Sequence, residues 1–323
     1  MRYRRFGKSG FEVSEMAHGL WGMGGWTDSD DGESMSALEL SVELGCNFFD
    51  SAWAYGEGKS DGLLGKTLAN NPTRRLYAAS KIPPRNMRWP ALPSYRYRDV
   101  FPPDHVFKYS RLIQERLRTD AIDVLQFHVW DDHWTEEPDF RNTVEKLKRD
   151  GIIRAFGLSL NRWEPENGLR ALGTGLVDAV QVIYSIFDQS PEDQLFPLCR
   201  EQNIAVIVRV ALDEGSLGGN FTRDTRFPAA DWRSRYFNPE NLGQTLERVE
   251  KLKRILPPGM SLAEMSLRFV LSHPAVSTVI VGMRKLEHVR ENLRISEQGP
   301  LSPELLRELK NHRWDRKPAP WSD

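Results

Sequence analysis

Asp50, Tyr55, Lys81 and His128 stand at or just beyond the ends of strand-like runs, and together their types would deliver a proton to a carbonyl group. A phenol, with an ordinary pKa of about 10, protonates a carbonyl oxygen near neutral pH only if a neighbouring ammonium stabilises its phenolate. Lys81 could be that ammonium. Asp50 would keep the lysine charged and aimed, and His128 could hydrogen-bond the substrate oxygen and orient it. Taken singly, each residue has an ordinary structural reading: Tyr55 as a loop aromatic beside glycines, Lys81 as a solvated strand end, His128 as a satisfied core histidine, Asp50 as a helix cap. Unrelated structural needs seldom place these four types at successive strand ends.

The elements that must position them can be read from the pattern. Short β-branched or aromatic runs recur at 16–19, 46–50, 76–81, 124–128, 154–159, 179–184, 205–210 and 278–282. Most are almost continuously apolar, as strands buried on both faces of a parallel sheet are. Amphipathic stretches at 34–44, 105–117, 140–148 and 242–255 lie between them as outer helices. About eight such units in a chain of 323 residues predict one closed (β/α)8 TIM barrel spanning the whole chain. Residues 3–6 and 12–14 flank KSG and predict an N-terminal β-hairpin plugging one barrel mouth.

Three long stretches, 82–103, 130–138 and 215–238, interrupt the alternation and should lie on the C-terminal face, where barrel loops build active sites. Trp21, Trp53, Trp89, Trp130 and Trp134 would either wall a substrate there or pack loop against loop. Arg85, Arg88, Arg96 and Arg98 would either attract an anionic substrate or form a solvated face. The tail 316–323, RKPAPWSD, is expected to be loosely ordered.

Composition narrows the partners. The 44 basic and 45 acidic residues leave a formal charge of −1, so no overall field draws the chain to nucleic acid or an anionic membrane. Cys46 and Cys199 are too few for a disulfide framework and stand beside apolar runs, which suggests reduced thiols. With no signal-like N-terminus and no apolar run of about 18 residues, a cytoplasmic location is expected. The Cys and His spacings offer no compact metal site. No heptad seam indicates an oligomer.

The segments FFDSAWAYG, AASK, LQFH and GMRKLEHVREN together resemble the aldo-keto reductase family along nearly the whole chain. The resemblance puts Asp50, Tyr55, Lys81 and His128 on the family's catalytic tetrad, with Tyr55 as general acid in reduction. Histidine at the fourth position goes with reduction of an aldehyde or ketone. A nicotinamide dinucleotide is implied, bound without a Rossmann fingerprint, and the chain has no GxGxxG after a strand.

The loop beyond the last strand is then a phosphate cradle at Gly282, Met283 and Arg284, with His288, Glu291 and Asn292 at the adenine. Arg284 and Lys285 supply cations for a 2′-phosphate, which favours NADP(H) over NAD(H). Ser159 and Gln181 match the carboxamide ligands, Tyr184 the aromatic that stacks on the ring, and Gly19, Leu20 and Trp21 the segment that approaches the cofactor. RVALDEGSLGG resembles the pyrophosphate loop, carrying over Leu212, Gly215 and Leu217, with Ala211 where proline is frequent and Arg209 as an unusual charge facing the cofactor. The usual serine-asparagine pair is here Ser159, Leu160 and Asn161, which leaves Asn161 one position off the family pattern. Two other readings stay open: a nucleotide-sensing regulatory subunit on the same fold, and an NAD-dependent sugar or alcohol dehydrogenase.

Overall fold

The computed structural model describes residues 1–26, 29–229 and 231–316. Two short strands, β1 (Tyr3–Arg5) and β2 (Glu12–Ser14), pair antiparallel. Eight parallel strands follow: β3 (Met16–Gly19), β4 (Phe48–Asp50), β5 (Tyr77–Ile82), β6 (Ile122–Phe127), β7 (Ile153–Ser159), β8 (Ala179–Ile183), β9 (Ala205–Arg209) and β10 (Val276–Gly282). They close in chain order, β10 pairing with both β9 and β3. The expected TIM barrel is therefore present.

Side chains alternate across each strand, so the inward set can be followed rung by rung. Phe48, Tyr77, Ala79, Val124, Ala155, Ala179, Ala205 and Ile207 share one interior cluster with Ala17. The hairpin closes the bottom of this cluster. Phe6 meets Phe48 with ring centroids 5.3 Å apart, and Phe11 lies 4.7 Å from Tyr77. Continuing the same alternation upward brings Asp50, Lys81, Gln126, His128, Ser159, Gln181 and Arg209 to the opposite rim of the barrel wall.

The larger core lies outside the strands, between them and the helices. Asp31–Glu43, Pro103–Leu117, Pro138–Arg149 and Pro239–Lys253 are the four helices read from periodicity, each begun a few residues earlier than the apolar pattern. Their starts are set by capping: Asp30 and Asn238 accept from backbone amides, and proline occupies the first turn of the other two. Lys59–Asn70, Leu262–Ser272, Leu286–Leu293 and Pro303–Lys310 add to the outer layer. No helix among the described residues is long and apolar enough to cross a membrane. Cys46 and Cys199 are buried free thiols.

The long loops are more structured than their composition suggests. Trp130 and Trp134 are fully buried with Tyr97, Phe101, Phe127 and Phe140, so they bind loop to barrel and wall no substrate. The Trp134 indole donates to the Tyr95 carbonyl at 2.7 Å, which explains how so large a polar-tipped ring is accommodated. Trp134→Ala is expected to lower unfolding free energy by about 3–5 kcal/mol, the usual cost of emptying a large aromatic site. Trp89→Ala, at a ring 41% exposed, should change stability by less than about 1 kcal/mol. Urea unfolding of both variants checks the contrast.

Arg85, Arg88, Arg96 and Arg98 are all exposed. Arg96 pairs with Asp99 at 3.2 Å and Arg98 with Asp139, which makes them a solvated face. The expected looseness of the tail fails at its first residue, because Arg316 is buried in ion pairs with Asp188 and Asp213. Residues 317–323 lie outside the described residues.

Candidate active site

Strand β4 ends at Asp50, and the chain turns through 51–58 before the helix Lys59–Asn70. Tyr55 lies in that turn. The turn is pressed against segment 21–26 by a close backbone approach: a Cβ on Gly56 (φ +70°) would lie 2.0 Å from the Gly24 carbonyl oxygen. Only glycine fits there, and it holds Tyr55 at the barrel rim.

Lys81, from β5, is fully buried and donates to Asp50 Oδ2 at 2.6 Å and to the Ser51 carbonyl at 2.8 Å. The other Asp50 oxygen accepts from Gln181 Nε2 at 2.9 Å and from Gln126 Nε2 at 3.4 Å. Lys81 Nζ lies over the Tyr55 ring, 5.2 Å from its centroid. Tyr55 meets His128 edge to face at 5.8 Å. All four residues of the expected tetrad therefore converge.

Burial works against the Lys81 charge, but Asp50, and Tyr55 after it, outweigh burial and hold the ammonium above its ordinary pKa. Tyr55 departs from the sequence expectation. Burial raises its pKa most; Lys81 lowers it, Asp50 raises it again, and Arg209 lowers it slightly, leaving the phenol above its usual range. The lysine acts in the expected direction without winning. His128 is held well below its ordinary pKa by burial, then by Lys81 and Arg209, so it is neutral. A neutral imidazole offers one N–H and one lone pair, and His128 Nδ1 has no partner among the described residues.

Arg209 comes from the end of β9, with the inward parity of Ala205 and Ile207. Its Nη2 donates to the Leu160 carbonyl at 3.0 Å, while Nε is buried without a partner among the described residues. Burial and then Arg162 lower its pKa to about 10. Gln126 Oε1 is likewise buried and unpartnered. Unsatisfied buried polar atoms are few in proteins, and three at one rim mark a place where a polar ligand would complete the bonding.

Tyr184 is elsewhere. Val180 and Val182 belong to the outer core, and Tyr184 continues their side of the strand. Its ring packs on Phe196, Phe269 and His273, and its hydroxyl donates to Glu192 Oε1 at 2.5 Å. Gln181 and Tyr184 are three positions apart, and an odd spacing puts them on opposite faces. A ring in that layer cannot stack on a ligand at the mouth, which corrects the expectation.

Of the remaining residues carried over, Leu20, Leu217 and Met283 are buried in the outer core and Leu212 packs against it, so they can offer a ligand backbone only. Gly19 backs onto Ile280, where a Cβ would lie 2.5 Å from Cγ2; Gly215 has φ +105°. Ser159 is buried beside Gln181 in register. Gly282, His288 and Glu291 are exposed, with Asn292 partly so, along the loop and helix after β10. The Arg284 side chain lies against Gly22, where a Cβ would meet its Cδ at 2.9 Å. Asn161 exchanges hydrogen bonds with Ala91 through both amide atoms, at 3.3 and 3.2 Å, which ties loop to loop.

Two rings near Tyr55 complete the wall. Trp26, which the sequence reading did not single out, approaches Tyr55 edge-on at 6.1 Å and Trp21 at 5.6 Å, while Trp89 approaches His128 at 5.5 Å. Trp53 instead packs on Tyr109. Only the fold brings 21–26 beside 51–58, so no local signal marks Trp26.

The whole chain has counterparts. The uncharacterized oxidoreductase YqkF of Bacillus subtilis (strain 168) is 28% identical over 319 residues, covering 97% of this chain and 96% of that protein. The NADH-specific methylglyoxal reductase of Escherichia coli (strain K12) is 26% identical over 307 residues, 89% of this chain and 91% of that one. The solved structure of the glycerol dehydrogenase AKR11B4 from Gluconobacter oxydans superposes with a TM-score of 0.78 at 25% identity, covering 98% of both chains. The profile of the Aldo/keto reductase family matches residues 15–313, and with that match over a barrel of the same architecture the chain belongs to the Aldo/keto reductase family.

Proposed function

We propose that this oxidoreductase reduces an aldehyde or ketone with NADP(H), Tyr55 giving the proton to oxygen. The observation that carries the reading is the Asp50–Lys81 pair at 2.6 Å with Tyr55 and neutral His128 beside it. Bound nicotinamide supplies the hydride. The unpartnered atoms of His128, Arg209 and Gln126 fit a polar ligand at that rim. Ser159, Gln181 and Arg209 would hold the nicotinamide end, the 212–217 turn the pyrophosphate, and Arg284 with His288, Glu291 and Asn292 the adenosine end.

Protonated Tyr55 donates to the carbonyl oxygen as charge develops there, and Lys81 stabilises the phenolate left behind. His128 donates one N–H to the same oxygen and fixes its position. Trp26 and Trp89 limit water and offer flat apolar faces, which suits a sugar or small aromatic carbonyl. Two buried thiols agree with a reducing, cytoplasmic setting.

Fluorescence titration with NADPH and NADH, followed by turnover on a panel of aldehydes, tests the reading. Tight NADPH binding with negligible turnover on every carbonyl would favour a nucleotide-sensing role instead. The name of the Escherichia coli relative keeps NADH in the comparison. Arg284→Ala is expected to weaken NADPH at least tenfold and NADH less than threefold, because a guanidinium pairs with a 2′-phosphate that NADH lacks. Equal weakening of both would remove Arg284 from that contact.

A further inference from the structure

One side chain joins three loops at the cofactor half of the mouth. Beyond the helix Pro303–Lys310, the chain is laid back over the loop that follows β8: Arg313 forms a two-pronged pair with Asp193 at 2.7 and 2.6 Å, and the Trp314 amide donates to the Phe187 carbonyl at 2.8 Å. Arg316 then turns inward, only 7% exposed. Its guanidinium pairs with Asp188 from the loop after β8 and, at 2.7 Å, with Asp213 Oδ1 from the turn after β9. It also donates to the Tyr236 hydroxyl at 2.6 Å and lies 5.3 Å from the ring of Trp163, in the loop after β7.

The turn it grips is unusual. Val210 (φ 58°), Asp213 (φ 45°) and Glu214 (φ 54°) are left-handed although each carries a Cβ, and Gly215 has φ 105°. Such a backbone persists only where its surroundings over-determine it. Asp213 is fully buried; besides its ion pair with Arg316, it accepts a hydrogen bond from Ser216 Oγ. Glu214 is held from the other side by Arg162, at 2.6 Å. Arg209, immediately before the turn, faces the site.

Without Arg316, Asp188 and Asp213 would be two buried carboxylates sharing no cation. Their mutual repulsion would push the turn out of its present shape. We propose that Arg316 is a positioning residue for the dinucleotide site, a buckle by which the C-terminal arm holds the 210–218 turn in the conformation that receives the pyrophosphate. This rests on the cofactor assignment above and extends it to a residue over a hundred positions from the two carboxylates it holds.

The test compares wild type with Arg316→Met and Arg316→Lys. In the cofactor-free protein, amide hydrogen exchange of 210–218 should speed up at least tenfold in Arg316→Met, with β4 to β6 unchanged. Its Kd for NADPH should weaken at least tenfold, with KM for the dinucleotide rising more than kcat falls. Arg316→Lys, which keeps the charge, should recover part of both effects. If Arg316→Met does not fold, Asp213→Asn takes its place and should give the same exchange and Kd changes. A folded Arg316→Met with Kd within twofold of wild type, or unaltered exchange in the turn, overturns the proposal even if the protein is less stable. Should wild type bind neither NADPH nor NADH, the cofactor assignment is what fails, and the exchange measurement alone decides whether Arg316 fixes the turn.

Discussion

Tyr55→Phe is expected to bind NADPH as tightly as the parent protein and to lose between about a hundredfold and ten-thousandfold of its carbonyl-reducing turnover, the usual range for removing a positioned general acid. The phenyl ring keeps its edge contacts with Trp26 and His128, so the wall of the site survives while the donor is gone. Stopped-flow hydride transfer and equilibrium binding separate the two effects. Turnover near that of the parent would leave the proton to another group and end the role assigned to Tyr55.

The same residue sets a pH dependence. Burial, the largest influence, raises the phenol's pKa, so Tyr55 stays protonated through neutral pH and reduction is lost only as the medium becomes strongly alkaline. Alcohol oxidation requires phenolate and should rise over that same alkaline limb.

Lys81→Met should cost the fold as well as the reaction. Asp50 would be left in the barrel wall with amide donors from Gln126 and Gln181 but no cation. Removing one partner of a buried pair typically costs about 3–5 kcal/mol, and we expect a loss of that size in urea unfolding. Turnover should fall at least as far as in Tyr55→Phe, because the developing phenolate loses its counter-charge. The double variant Asp50→Asn, Lys81→Met should recover a good part of the stability, having no stranded charge, and none of the turnover. If the single variant unfolds at the parent's urea midpoint, the pair does not have the energetic weight given to it here.

The four residues were legible because Asp50, Lys81 and His128 end or directly follow runs whose character is visible locally, and Tyr55 stands five residues beyond Asp50. Asp50 follows Phe48 and Phe49, and Lys81 follows Tyr77, Ala78, Ala79 and Ser80. The eight strands were legible for the same reason: buried parallel strands are continuously apolar and need no partner to be recognised. Tyr184 shows the limit of that reading. An almost continuously apolar strand conceals which face is inward, and only the barrel's alternation shows that Gln181 and Tyr184 point opposite ways. Counting by twos from Ala179 would have separated them. Trp130 and Trp134 illustrate the same ambiguity in loops, since a tryptophan beyond a strand can line a cavity or fill one, and Tyr97 and Phe101, against which Trp134 packs, lie more than thirty residues earlier in the chain.

The sequence by itself determined the alternation of strands and helices, the near-neutral charge and the choice of Asp50, Tyr55, Lys81 and His128 as one set, because these depend on the types of neighbouring residues and on short periods. The tertiary structure decided what depends on distance: that burial outweighs Lys81 at the Tyr55 hydroxyl, that Trp26 joins Tyr55, and that Arg316, over a hundred residues from Asp188 and Asp213, closes onto both. Electrostatic and packing energies fall off over a few ångströms of space, whatever the separation along the chain.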